Sequence, residues 1–355
     1  MIREITPAEA LAQPHLRWID VRSPQEVQES PVPFAQNVPL FDDEERAVVG
    51  LTYARQGQEA AIRKGVEIVS PKIPQLIQTI QSHLQPHEEP LIFCWRGGMR
   101  SKAVATFLDL VGIPVCRLEG GYRAYRNLVV QTLEESATYP HFLVLHGMTG
   151  VGKTMLIQRL REEGYPVIDL EDLAQHRGSA FGTIGNLNPR NQRTFDAFLF
   201  QALRGLSGSP LCIIEGEGKR IGKVVIPEAM MEAQIRGTHL LLYASIPVRV
   251  QRILHMYTQA ATDLEQFHCE VKQAVSRIEK RLTPAVRAEL YEALEKRAYS
   301  KVVELCLHHY YDPRYQHSMK QYPVSFQPVS AENFDEALQT IKDIYLQYAS
   351  APAAT

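Results

Sequence analysis

Long apolar runs are missing from this sequence: nowhere do about 18 apolar residues follow one another, the length a membrane-crossing helix needs. The opening residues Met1-Ile2-Arg3-Glu4 lack a basic stretch followed by an apolar one, so no secretory leader is expected. Cysteine is scarce. Cys94, Cys116, Cys212, Cys269 and Cys306 are widely spaced and odd in number, which suits neither a disulfide framework nor a zinc site and points to a reducing cytoplasm. A basic excess is absent too: 38 Lys and Arg face 40 Asp and Glu, a net charge of −2, whereas a protein living mainly on phosphate contacts would be globally basic. The imbalance is local instead. Residues 1–136 carry 14 basic against 17 acidic side chains, and residues 236–320 carry 13 against 9. The C-terminal half is therefore the better place for RNA, although a merely solvated helical surface has the same composition. No internal repeat occurs, and the one low-complexity stretch is the tail 349–355, expected to fray.

What is present is ordinary globular material. Hydrophobic residues make up 45% and charged residues 22% of 355 residues, enough at ~150 residues per domain for two cores. In the first part, short apolar runs at Trp18–Val21, Leu91–Phe93 and Val115–Leu118 alternate with helical patterns at Ile73–Leu84 and Ser101–Val111. That alternation predicts an α/β domain with a parallel sheet over residues 1–136. The polar, proline-ended stretch Glu134–Pro140 reads as a linker. A second α/β domain is expected over 140–250, with strands at Phe142–His146, Pro166–Asp169, Leu211–Glu215 and Thr238–Leu242. From Pro247 to about Tyr310 the chain favours helix, with Thr283-Pro284 as a start signal, so 251–355 is expected to be a mainly helical extension packed with the second domain.

Two loops carry chemistry. Cys94-Trp95-Arg96-Gly97-Gly98-Met99-Arg100-Ser101 follows a buried strand and opens a helix. A loop curling over a helix N-terminus points backbone N–H groups inward and adds the positive end of the helix dipole, and both stabilise a thiolate and a bound oxyanion. Gly97 and Gly98 are expected to supply the backbone angles of such a nest, and Arg96 and Arg100 its charge. The other four cysteines fall in apolar patterns and read as structural. The second loop, Gly147-Met148-Thr149-Gly150-Val151-Gly152-Lys153-Thr154, fits G-x-x-x-x-G-K-[ST] without a mismatch, again between a strand and a helix. Gly147, Gly150 and Gly152 let backbone N–H groups surround a di- or triphosphate, Lys153 neutralises its charge, and Thr154 can ligate a metal ion. Asp169 and Glu215 each end a strand where an acidic metal partner belongs, or a helix cap. Arg190 and Arg193 could reach substrate or be surface charges. Arg249 and Arg252 resemble the phosphate-contacting arginines of small kinases.

Asp20-Val21-Arg22-Ser23-Pro24-Gln25-Glu26-Val27, the Cys94 loop and Leu118-Glu119-Gly120-Gly121-Tyr122 together resemble the rhodanese family, in which the cysteine carries a transferable chalcogen. Asp20 and Arg22 then read as braces of the loop. One departure stands out: five residues separate Cys94 from Arg100, where common rhodaneses have four. The wider loop also occurs in cysteine phosphatases and suits a tetrahedral phosphoryl group, selenophosphate included. The fusion of such a loop with a P-loop, in this order, resembles the tRNA 2-selenouridine synthase family.

That resemblance, and not composition or spacing, implies the rest. The family acts on the wobble 2-thiouridine of tRNAs for Lys, Glu and Gln, with geranyl diphosphate and selenophosphate as substrates and an S-geranyl intermediate. Cys94 would carry selenium as S-selanylcysteine, and the P-loop could hold geranyl diphosphate in place of a nucleotide, with Mg or a nucleotide left open. The tRNA anticodon region is the expected partner, a selenophosphate-producing enzyme is an open one, and no membrane is expected. A rhodanese-type sulfurtransferase or a thiolate phosphatase coupled to an NTP-binding P-loop domain remains the alternative.

Overall fold

The structure is a computed structural model that describes residues 2–176, 188–206, 208–260, 264–319 and 324–350; the end of the tail expected to fray lies outside them. The chain divides into two compact units, Met1–Thr132 with Asp196–Gln201, and Leu133–Phe195 with Ala202–Thr355.

The first unit is built on five strands, β1 (Ile2–Ile5), β2 (Leu16–Asp20), β3 (Gln36–Asn37), β4 (Glu89–Phe93) and β5 (Val115–Leu118). They pair in parallel in the order β1-β5-β4-β2-β3. Leu91, Ile92 and Phe93 of β4 are fully buried, as a strand covered on both faces requires. The amphipathic helix Ile73–Ser82 turns Leu76 and Ile80 inward, and Met99–Leu110 buries Val104, Ala105 and Leu108. Both pack on Ile19, Val21 and Ile92. β2 and β4 are neighbours, and the chain passes from β2 to β3 on one side and from β4 to β5 on the other, so the carboxyl ends of β2 and β4 open the crevice where such sheets bind ligands. The loop 94–98 leaves β4 at that point. A long helical stretch, Asp43–Val69, had no counterpart in the sequence reading; it is broken at Gly57, whose φ of +87° lies in the left-handed region.

The second unit has its own parallel sheet. Its strands are β6 (His141–Gly147), β7 (Val167–Ile168), β8 (Leu211–Glu215), β11 (Thr238–Tyr243) and β12 (Phe326–Ser330), in the order β12-β11-β6-β8-β7. A short antiparallel pair, β9 (Arg220–Ile221) and β10 (Val224–Val225), stands apart from it. The central β6 is again a switch point, with β8 on one side and β11 on the other, and the glycine loop follows it directly.

The C-terminal residues split between two structures. Leu264–Ile278, Pro284–Glu295 and Tyr299–Cys306 form a helical layer with its own core around Val275, Leu290 and Leu305. Thr283 caps the second of these helices. β12 then joins the edge of the P-loop sheet, and the helix Phe334–Ser350 buries Ala337, Ile341 and Ile344 in the core beneath it. No helix among the described residues is long and apolar enough to cross a membrane.

Candidate functional site

Cys94 sits at the end of β4, 3% exposed, at the bottom of a cleft of about 610 Å³ lined by Glu26, Arg46, Trp95, Arg96 and Arg100. Its thiol donates to Ser101 Oγ at 3.3 Å, and that hydroxyl donates to Gly98 O at 3.2 Å. Arg100 is tied to Glu26 by Nη1–Oε2 at 2.5 Å and Nη2–Oε1 at 3.0 Å, whereas Arg96 is exposed along the cleft. Burial works to raise Glu26, but Arg100 outweighs it and holds the carboxyl below its usual range. Glu26 is thus an anion at neutral pH, fixed as a brace. Asp20 and Arg22, buried at the end of β2, form a bidentate pair at 2.6 to 3.0 Å; Arg22 also reaches Ser30 and lies 4.1 Å from the Tyr122 ring.

The glycine motif closes the loop from the other side. Tyr122 N–H donates to Cys94 O at 2.8 Å and Arg123 N–H to Trp95 O at 3.0 Å. A Cβ on Gly121 would stand 2.2 Å from Cys94 O and 2.4 Å from Gly97 N, at a φ of +59°. Gly121→Ala is therefore expected to destabilise the first unit by about 1–3 kcal/mol and to displace the cysteine. A melting curve and the rate of Cys94 alkylation read the two effects; an unchanged pair would contradict this packing. Gly97 needs its glycine, with φ +64° and Leu118 O 3.1 Å from an added Cβ. Gly98 does not match its expectation: φ is −89° and open space surrounds its missing Cβ, so it serves as the N-cap of Met99–Leu110 and not as a left-handed residue. Arg117, which the sequence reading passed over, donates to Gly97 O at 2.6 Å while pairing with Glu4 at 2.7 Å.

Among the remaining cysteines, burial pushes Cys116 up to about 11 and Cys306 up to about 12, and raises Cys212. Cys269 is exposed, contrary to its apolar reading, because its helix turns that position to solvent.

In the second unit Gly150 and Gly152 take φ of +82° and +103°, and Gly152 caps the helix Lys153–Glu162. Lys153 Nζ donates to Gly147 O at 2.6 Å. Thr154 Oγ1 donates to Glu171 Oε2 at 3.2 Å, and Glu171 N–H donates to Glu215 Oε2 at 3.3 Å. Asp169 caps the helix Leu170–Ala174 by accepting Asp172 N–H at 2.9 Å. Glu215 is fully buried, and its Oε1 has no hydrogen-bond partner. No group of three His, Cys, Asp or Glu among the described residues could hold a metal ion alone. A cation here would be shared between Thr154, phosphate oxygens and a carboxylate, for which Glu215 and Glu171 are placed. Arg249 and Arg252, read as phosphate contacts, both reach the main chain of the loop itself. Arg249, 2% exposed, donates to Thr149 O at 2.9 Å, and Arg252 donates to Val151 O at 2.7 Å, so both hold the loop's own carbonyls. Arg190 likewise donates to Leu173 O at 3.1 Å.

Comparison with known proteins gives these two sites a family. A rhodanese-like domain model matches residues 7–128, and the model of the tRNA 2-selenouridine synthase AAA domain matches residues 140–346. A tRNA 2-selenouridine synthase of Hydrogenovibrio crunogenus is 32% identical over 98% of this chain and 99% of its own. The chain belongs to the tRNA 2-selenouridine synthase family. The enzyme of that name from Cupriavidus necator is 32% identical over 85% of this chain and 88% of its own. A relative from Nitrosomonas europaea reaches 36% identity over 67% of this chain and 63% of its own.

The phosphate loop is also faced by acidic residues that the sequence reading missed. Glu171 and Glu217 join Asp169 and Glu215 in acting electrostatically on one another, with Lys153 the cation among them. Burial and then neighbouring carboxylates push Glu217 up to about 7, and burial pushes Asp169 up to about 6. The folded state thus holds protons that the unfolded chain has already released above its ordinary carboxyl pKa of about 4. Stability from this cluster is therefore lost as pH rises from about 4 through about 7. Glu217→Gln should raise the melting temperature at pH 8 and leave it nearly unchanged at pH 4. A gain of equal size at both pH values would show that proton binding is not the cause. The only sequence signal for Glu217 was its place two residues past the end of β8.

Proposed function

We propose that this protein replaces the sulfur of wobble 2-thiouridine in tRNA with selenium. Selenium comes from selenophosphate, the route passes through an S-geranyl base made from geranyl diphosphate, and the tRNAs are those for Lys, Glu and Gln. The observation that carries this reading is the presence in one chain, of a family named for tRNA 2-selenouridine, of a braced cysteine loop and an unbroken phosphate loop. In the first step the thione sulfur takes the geranyl carbon, the carbon–oxygen bond breaks, and diphosphate leaves with its charge on Lys153 and the loop N–H groups. The base is then primed, since a thioether sulfur leaves C2 more readily than sulfide does. At Cys94 the selenium–phosphorus bond of selenophosphate breaks, phosphate departs to water, and the selenide so delivered adds to C2 as the geranyl thiol leaves. The five-residue span from Cys94 to Arg100 gives room for the phosphoryl end of selenophosphate. A thiolate phosphatase fits less well, because Glu26 in the cleft wall is held ionised by Arg100 and is no general acid.

Geranyl diphosphate, selenophosphate and thiolated tRNA supplied together, with the wobble nucleoside followed by mass spectrometry, test the reading. The expected product is 2-selenouridine, and a product lacking selenium would return the protein to the sulfurtransferase class.

The RNA must be held by a local basic face, because the whole chain is slightly acidic. The helical layer offers Lys280 and Arg281, both exposed, and Arg287 on the helix Pro284–Glu295. Neutralising the three together should weaken tRNA binding and reduce the slope of log affinity against log salt by up to about 3. An unchanged slope would move the RNA to another face.

A further inference from the structure

The main chain of the phosphate loop is gripped by side chains that lie far along the sequence. Tyr315 Oη accepts Gly147 N–H at 2.5 Å. Arg249, on Thr149 O, is clamped in turn by Asp312 at 2.6 and 2.9 Å. Asp312 and Tyr315 stand one helical turn apart on the helix Asp312–Met319. That helix is launched by a π-helical turn, Leu307–Tyr311. Such turns are rare and insert one residue into the helical register, so they persist where a following side chain must be aimed.

The two peptide groups flanking Gly147 are both engaged, one N–H by Tyr315 and one C=O by Lys153. Lys153 has a competing place to go. Glu215 and Glu217 both feel its charge, and an ion pair with either would cancel the charge a phosphate needs. The Gly147 carbonyl keeps the ammonium on the loop.

We infer that Tyr315 is a positioning residue of the phosphate site: by fixing the Gly147 backbone, its hydroxyl holds the carbonyl on which Lys153 waits and so sets the loop's affinity for a diphosphate anion. Tyr315 acts through the loop and through Lys153, not on the ligand. The inference rests on the loop being an anion site and does not need the anion to be prenylated.

Tyr315→Phe removes only the hydroxyl and keeps the ring. Inorganic pyrophosphate and geranyl diphosphate are titrated into the wild-type chain and the variant, and the Lys153 ammonium is followed by nitrogen-detected NMR. The pyrophosphate Kd is expected to rise about tenfold, as the net worth of one hydrogen bond suggests. The Lys153 resonance should lose the protection that its bond to Gly147 O provides, while the melting temperature and the rate of Cys94 alkylation stay unchanged. Equal pyrophosphate affinity in the two proteins overturns the inference, and so does a tenfold loss with an unaltered Lys153 resonance. A wild-type chain that binds neither anion overturns it together with the anion site. Pyrophosphate bound as tightly as geranyl diphosphate sinks only the prenyl reading and leaves Tyr315 in its role.

Discussion

Cys94→Ser abolishes 2-selenouridine formation while the fold and tRNA binding stay close to normal: this is the largest effect expected of any single substitution. The sulfur sits at the foot of the cleft with the loop backbone fixed on both sides, by Tyr122 and Arg123 N–H groups on one and by Arg117 on the other. Serine fits that space and keeps a hydrogen-bonding atom beside Ser101, so the loop need not move. What it lacks is the chemistry, since a hydroxyl has neither the nucleophilicity of sulfur nor its capacity to handle selenium. Selenation should fall at least about a thousandfold, below detection in the nucleoside assay. Geranylated tRNA should accumulate, because prenyl transfer asks nothing of Cys94. Replacement of Cys116, Cys212, Cys269 or Cys306 by Ala should leave turnover within about twofold, and any stability cost belongs to the three buried ones. A Cys94→Ser protein that still made the selenium base at a comparable rate would remove the carrier role.

Lys153→Ala is the second large effect, and it divides the chemistry. The lysine is the loop's own cation beside a cluster of acidic residues, and the departing diphosphate gathers charge there. Removing one preorganised donor at such a centre costs about 10²–10³ in rate. The variant should therefore fail to geranylate 2-thiouridine tRNA, yet convert supplied S-geranylated tRNA to the selenium product. The opposing possibility is a nucleotide in the loop that only gates closure, in which case both steps fall together. Wobble-nucleoside mass spectrometry after each half-reaction distinguishes the two. Equal loss of both steps would end the division of labour and leave family membership untouched.

How much of this was legible in the sequence depends on whether the information is local. Short apolar runs between glycine and proline stops specify buried strands wherever they lie, and β5 and β8 occur at the positions read from Val115–Leu118 and Leu211–Glu215. Both functional loops are contiguous, since a strand–loop–helix unit carries its nest of N–H groups, its charge and its nucleophile within eight residues. The weaker elements were not legible. β1, β3 and β12 are edge strands or short ones, alternating or polar in composition, and only pairing with β5, β2 and β11 makes them strands.

By itself, then, the sequence determined the two α/β units, the cysteine, the phosphate loop and the order in which they come. Tertiary structure alone decided which side chains serve them. Arg249 and Arg252 carry a positive charge wherever they are, and only the packing of their helix turns them onto loop carbonyls. Gly121 is demanded by the backbone of a loop more than twenty residues earlier. Asp169 and Glu215 look alike at strand ends, yet one caps a five-residue helix and the other is buried beside Glu171. Tyr315 meets Gly147 across 168 positions of chain. Motifs are written in neighbouring residues because a loop's backbone must be continuous. Braces, caps and buried charges are chosen by proximity in space, which a linear pattern does not record.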